Sequence, residues 1–128
     1  MIIRLCFIFF ITISSCNFKT TSLTGIYKSY KPIFSSDKYT IGVVLKLNDD
    51  STFNYQTCGD ISSGKWVVSE KFDSVILYCY KFKYINDSLN SIKNPVCKQN
   101  EVFQSFEIYN RNTLKNKFKD IIILLKRQ

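Results

Sequence analysis

From residue 25 onward, apolar side chains recur at every second position, and that period restricts the fold more than any other feature of the chain. Ile41, Val43, Leu45 and Leu47 alternate with Gly42, Val44 and Lys46. Phe53 and Tyr55, Trp66 and Val68, and Phe106 and Ile108 continue the rhythm. A helix repeats its apolar face about every 3.6 residues, whereas a strand with one face on a core repeats it every two. Breaks rich in Asn, Asp, Ser and Gly fall at 48–51, 59–63, 70–73 and 111–113. Such side chains favour turns by bonding to nearby backbone. The strands expected between them span 25–30, 41–47, 52–58, 64–69, 74–84, 102–110, 114–118 and 121–126. The chain carries 11 Phe and 8 Tyr and lacks alanine. It is therefore rich in side chains suited to a pleated surface and without the best helix former. The expectation is an all-β fold: a single small antiparallel up-and-down barrel or curled sheet of about eight strands. Closure would also remove exposed strand edges. The last strand, IIILL at 121–125, is apolar at every position. Part of its outer face must be covered, or it must meet the first strand at the seam.

Two segments lie outside this rhythm. Residues 31–38 (KPIFSSDK) carry Ile33 and Phe34. Residues 85–100 contain Leu89, Ile92 and Val96 at spacings of three and four, with Asp87 placed to cap a short helix that Pro95 ends. This stretch reads as a surface loop with a helical turn, or as a lid. An up-and-down strand order puts both segments at the barrel end away from the N-terminus. Ile33, Phe34, Leu89 and Ile92 are the candidate contacts at that mouth.

The start of the chain reads as an address. Residues 1–13 carry one charge, Arg4, and the uncharged run 5–13 is too short to span a bilayer, which takes about 20 apolar residues. A positive start, a short apolar stretch and small residues describe a secretory signal. Ile13-Ser14-Ser15-Cys16 resembles the lipobox of bacterial lipoproteins, in which the cysteine receives a diacylglycerol and becomes the new N-terminus. The alternative is a short hydrophobic anchor that ends by chance in Ser-Ser-Cys. On the lipoprotein reading residues 1–15 are the signal peptide. Cys16 is lipidated, 16–24 form a polar, flexible tether, and 25–128 form the barrel domain. In bacterial lipoproteins an Asp directly after the cysteine can retain the protein at the inner membrane. Asn17 stands here, so the expected location is the outer membrane of the envelope, on its periplasmic or surface face.

A second resemblance rests on 45–77. Leu45 and Leu47, Asp50, Thr52 and Phe53, Gly64 and Trp66, and Asp73, Ser74 and Leu77 follow a pattern seen in small Gram-negative lipoproteins. With Gly25 and Tyr27, it resembles the lipocalin-like barrels that include the N-terminal domain of the copper-resistance and envelope-stress lipoprotein. The resemblance implies a lipid-anchored β-barrel. It carries little about function, and the Cys-x-x-Cys of the copper-associated domain has no counterpart at 26–45. Read from the residues alone, Gly64 permits a close approach of another backbone. Trp66, in phase with Val68, is the expected plug of one barrel end, its indole N–H donating to a carbonyl.

Beyond the leader and Cys16, three cysteines remain: Cys58, Cys79 and Cys97. An oxidising compartment would join one pair among them. Simple strand pairing sets Cys58 and Cys79 two strands apart, ~9 to 10 Å, beyond ordinary disulfide reach unless a bulge or the Gly59 loop brings them closer, while Cys97 on its loop could reach either. No metal site is expected, since three cysteines without close spacing or a fourth ligand are a poor zinc set.

Histidine is absent, which excludes Ser-His-Asp and Cys-His catalysis. There is no phosphate-binding glycine loop and no pair of carboxylates in a context for acid–base work. No enzyme activity and no cofactor are expected. The net charge is +8, and lysines at 81 and 83 and at 115, 117 and 119 alternate with neighbouring residues. Basic and aromatic interleaving can bind single-stranded nucleic acid, but period-two lysines also describe a solvated strand face, and no nucleic-acid partner is expected. The first functional expectation is a non-enzymatic envelope lipoprotein that binds a partner protein or acts structurally. Others are a lipocalin-like carrier of a small apolar ligand, and an inhibitor or immunity lipoprotein. A void lined by Phe53, Tyr55 and Phe106 would favour the carrier. A filled interior with an exposed apolar rim at Ile33 and Phe34 would favour partner binding. Beyond the membrane anchor, the sequence specifies no oligomeric state.

Overall fold

The computed structural model describes residues 23–86, 97–98 and 100–128. The signal peptide, Cys16 and most of the tether lie outside the described residues, as do Leu89 and Ile92 and the suggested helical turn. The strands are β1 (Gly25–Ser29), β2 (Lys38–Tyr39), β3 (Val44–Leu47), β4 (Thr52–Gln56) and β5 (Asp60–Val68). They continue with β6 (Ser74–Tyr84), β7 (Gln104–Asn110), β8 (Thr113–Phe118) and β9 (Ile121–Arg127). β1 and β3–β9 form a closed antiparallel ring in which β1 pairs with both β3 and β9. The fold is the expected all-β barrel.

The seam is made by Tyr27↔Arg127, Lys28↔Lys126 and Ser29↔Leu125. Bonds from Gln128 N–H to the Ile26 carbonyl (2.9 Å) and from Tyr30 N–H to the Leu124 carbonyl (3.0 Å) bracket it. Tyr27 and Arg127 thus form a non-hydrogen-bonded pair, the geometry in which opposed side chains stand closest. The Arg127 guanidinium lies 5.4 Å from the centre of the Tyr27 ring, and its Nη2 donates to the Tyr27 hydroxyl at 2.9 Å. That hydroxyl donates in turn to the Leu23 carbonyl at 2.7 Å. Burial pushes the Tyr27 phenol above its ordinary pKa, and Arg127 pulls against that rise.

The apolar alternation is the inner wall. Tyr27, Leu45, Leu47, Phe53, Trp66, Val75, Leu77, Phe106, Leu114 and Leu125 are buried together. At the N-terminal end, Trp66 lies under the β3–β4 turn, with Nε1 donating to the Asn48 carbonyl at 3.1 Å. The turn is held by Asp50, whose Oδ1 accepts the Thr52 backbone N–H at 3.0 Å and the Thr52 hydroxyl. Those bonds to the charged form lower the Asp50 carboxyl pKa. Asp73 is lowered in the same way by the Ser69 and Ser74 hydroxyls.

Four sequence expectations change. Residues 60–63, read as loop, are the first part of β5. Their serines disguise a strand, and Ser62 faces inward, buried, with its hydroxyl on the Tyr55 carbonyl. Ile41, read as the first inward residue of a strand, is exposed and precedes β3. β7 starts at Gln104 rather than 102. β2, two residues long, was not expected; it pairs in parallel with the start of β9, Lys38↔Ile121 and Tyr39↔Ile122. β9 is therefore flanked along one side by β2 and then by β1. Ile122 is buried and Leu124 half-buried on its outer face, which accounts for the unbroken apolar run.

Gly64 lies within β5 rather than at its start. The register shifts beside it, from Ser63↔Lys81 to Gly64↔Cys79, leaving Tyr80 as the unpaired residue of a bulge. A Cβ on Gly64 would stand 1.9 Å from the Tyr78 carbonyl oxygen, so any side chain must push two strands apart. Gly64→Ala is expected to destabilise the barrel by about 3 kcal/mol in urea unfolding. Gly59→Ala, whose Cβ meets nothing within 4 Å, is expected to stay within about 0.5 kcal/mol of wild type. Equal effects of the two substitutions would contradict the close approach.

Candidate functional site at the barrel mouth

The ring has two unlike ends. The N-terminal end carries Leu23, the C-terminus and the short β3–β4, β5–β6 and β7–β8 turns. The other end, the mouth, carries the β1–β3 connection with β2, the β4–β5 turn, the β6–β7 connection and the β8–β9 turn. The antiparallel order therefore places both long connections opposite the N-terminal end.

Inside the mouth, side chains from four strands converge on a concavity of about 370 Å³. Tyr55 comes from β4, Gln104 from β7, Asn116 and Phe118 from β8, and Ile121 and Ile123 from β9. Below it the interior is closed by rings. Phe103 stacks on Phe53 at 6.5 Å between centroids and meets Tyr55 edge-on at 6.2 Å, while Tyr55 and Phe106 lie 6.1 Å apart. Phe53, Tyr55 and Phe106, the three residues that would have lined a ligand void, are thus packed against one another and against Phe103. No buried side-chain nitrogen or oxygen among the described residues lacks a hydrogen-bond partner. No cluster of three metal-ligating side chains occurs among them.

Outside this plug the rim is apolar. Ile33 is 90% exposed, Phe34 100% and Phe118 68%. Ile41, Ile85, Val102 and Ile121 add further exposed apolar surface at the same end. Lys31, Lys38, Lys117 and Lys119 are exposed among them. The β1–β3 connection is braced against the β4–β5 turn, where Gly42 (φ 79°) packs so closely that a Cβ would lie 2.7 Å from Cys58 Sγ.

The cysteine alternatives resolve in favour of the loop. Cys79 and Cys97 are disulfide-bonded, with Cα atoms 5.1 Å apart, and Cys58 is an exposed thiol. Cys79 is buried at the level of Gly64, so the bond ties the β6–β7 connection to the wall. Closing a loop of this length stabilises a fold by about 3 kcal/mol on the chain-entropy account.

Of the residues singled out from sequence, the structure brings none of Cys58, Ile33, Phe34 and Trp66 into the concavity. Ile33, Phe34 and Cys58 are at the mouth end, and Trp66 is at the opposite end. The concavity itself was missed as a site. Tyr55 read as the lining of a ligand void and Phe118, Ile121 and Ile123 only as strand residues, and which strand tops converge depends on a register that alternation does not reveal.

Comparison with protein-family models, with curated proteins and with solved structures finds no significant match.

Burial pushes the Tyr55 phenol up to about 12, with the Asp60 carboxylate adding to the rise. Its folded pKa exceeds the ordinary value of about 10, so the stability it contributes is full below pH 10 and is lost as the pH rises toward 12. Wild type is expected to lose more stability than Tyr55→Phe between about pH 9 and about pH 11.5 in urea titrations. Equal losses would contradict the buried phenol.

Proposed function

We propose that this chain is a lipid-anchored lipoprotein of the bacterial cell envelope, held through Cys16, that binds a partner protein at its mouth rim without catalysing a reaction. The observation that carries the reading is a pairing. Phe34 and Ile33 stand almost wholly in solvent at the end away from the tether, while the interior behind them is filled. Burying a Phe or Ile side chain is worth about 1.5–3 kcal/mol, so these two residues forgo stabilisation that a docked surface would recover. Large apolar side chains gathered on one end, rimmed by charge, describe an interaction surface. Lipidation at Cys16 would direct that end away from the membrane, toward a partner across the envelope space or on another protein.

The carrier reading is disfavoured by the packed Phe53–Tyr55–Phe103–Phe106 layer, which leaves a shallow dent above it instead of a chamber. An inhibitor or immunity role is a special case of partner binding, in which the captured protein is an enzyme or toxin.

A photo-crosslinking side chain placed at position 34 tests the reading in intact envelopes, with position 72, exposed at the tether end, as the control. The expected result is one discrete protein adduct from 34 and none from 72. The substitutions Ile33→Ser and Phe34→Ser should lower capture of that partner about tenfold or more without shifting the unfolding midpoint. Mass analysis of the mature protein should show acyl chains that Cys16→Ala removes. No adduct at 34, or the same adducts from both positions, would overturn the rim as the binding surface.

A further inference from the structure

The β7–β8 ladder stops halfway up the wall. Glu107 pairs with Lys115 and Ile108 with Leu114, and below them a bulge leaves Tyr109 unpaired before Asn110↔Thr113. The same register would next set Phe106 opposite Asn116, Ser105 opposite Lys117 and Gln104 opposite Phe118, and none of these pairs forms. On their other sides the two strands remain paired to their tops, β8 with β9 through Phe118↔Ile121 and β7 with β6 through Leu77↔Gln104. The wall is therefore split between β7 and β8 at the mouth. A side chain bridges the split where backbone would otherwise do so: Asn116 Nδ2 donates to the Ser105 carbonyl at 2.5 Å.

The direction of the free backbone follows from hydrogen-bond parity. Arg127 N–H donates to the Asn112 carbonyl at 2.8 Å. In the β8–β9 register this makes even-numbered residues of β8 the hydrogen-bonding partners of β9. Lys115 and Lys117 then turn N–H and C=O toward β7. Lys115 meets Glu107 there, whereas Lys117 meets the split. Both Ser105 and Lys117 are exposed on the outer side of the split.

Resting on the partner-binding reading above, we infer that this split is a docking slot for an extended, acidic segment of the partner, which adds as a strand along the upper edge of β8. An added strand supplies main-chain bonds for affinity and sends alternate side chains to opposite faces. On the inner face those side chains meet the concavity of Asn116, Phe118, Ile121 and Ile123 and must be apolar. On the outer face they meet Lys115 and Lys117, with Lys119 just beyond the strand. The Nζ atoms of Lys115 and Lys119 lie 5.7 and 5.6 Å from the ring centres of Tyr109 and Phe118. None of these three lysines forms an ion pair with a described residue. Acidic outward residues complement that row, and a second copy of this chain would bring lysines against lysines.

The probe is a phage-displayed library of random decapeptides, panned against the full lipidated chain in phosphatidylcholine nanodiscs. Enriched peptides are expected to alternate acidic and apolar residues. A selected peptide should shift the amide resonances of Ser105, Lys117 and Ile121–Ile123 in nuclear magnetic resonance spectra. Lys117→Pro removes the N–H that faces the split without breaking a bond to β9, and should weaken that peptide about tenfold or more. Lys117→Glu, which keeps the N–H and reverses the charge, should also weaken it and serves if the proline variant does not fold. The inference is overturned if no peptide is enriched. It is equally overturned if the split responds to phosphatidylglycerol in the discs and to no peptide. Peptides that shift only the Ile33–Phe34 loop, with both Lys117 variants binding as wild type, remove the slot and leave partner binding at the rim intact. Loss of the position 34 photo-adduct, by contrast, removes the rim.

Discussion

The pairing of β1 with β9 is the contact on which the rest of the molecule depends. The ring's seven other strand pairs would make only a curled sheet with open edges. The seam is short, three residue pairs, and a side-chain lock reinforces it. Arg127 lies over the ring of Tyr27 and bonds to its hydroxyl, which in turn bonds to the Leu23 carbonyl. The segment entering the barrel and the segment leaving it are thus fastened at one point. That point lies at the N-terminal end of the barrel, so the chain enters and leaves the ring at the same fastened end.

Closure fixes what the interior can be. Once the ring is shut, inward residues have nowhere to go but against each other. The chain supplies enough aromatic volume to fill the space: Trp66 at the N-terminal end, and Phe53, Tyr55, Phe103 and Phe106 below the mouth. The wall adapts to this content by bending where side chains are missing or extra. Gly64 lets β5 press onto the Tyr78 carbonyl, and Tyr80 bulges out beside it. Tyr109 bulges between β7 and β8, and above it the wall parts. A filled barrel leaves recognition to its outside, and the outside is most apolar at the mouth.

Much of this was legible in the sequence because period-two alternation reports directly on a wall with one wet face. All eight ring strands were expected in the right order, and most of the inward residues with them. The exceptions have physical causes. Residues 60–63 look like loop because serine is common in turns, yet Ser62 is small enough to face inward when its hydroxyl finds the Tyr55 carbonyl. Ile41 keeps the rhythm but precedes β3, so its phase has no wall to act on. β2 is too short to carry a period, and its parallel pairing depends on how a long connection folds back. The disulfide was narrowed by distance, since simple pairing set Cys58 and Cys79 two strands apart, and the loop residue Cys97 completed it. The split at the mouth was not legible at all. It depends on a missing pair between Ser105 and Lys117, and neither residue signals its register.

A closed barrel requires a seam as durable as its core, and native-state amide hydrogen exchange compares the two. If the account holds, the hydrogen-bonded seam amides of Lys28, Tyr30, Lys126 and Gln128 exchange only through global unfolding, with the same denaturant dependence as the core amides of Leu77 and Phe106. If those seam amides exchange instead through a separate opening of low free energy while the core stays protected, the sheet is an open curl, its interior is accessible, and the case for a rim-binding barrel fails.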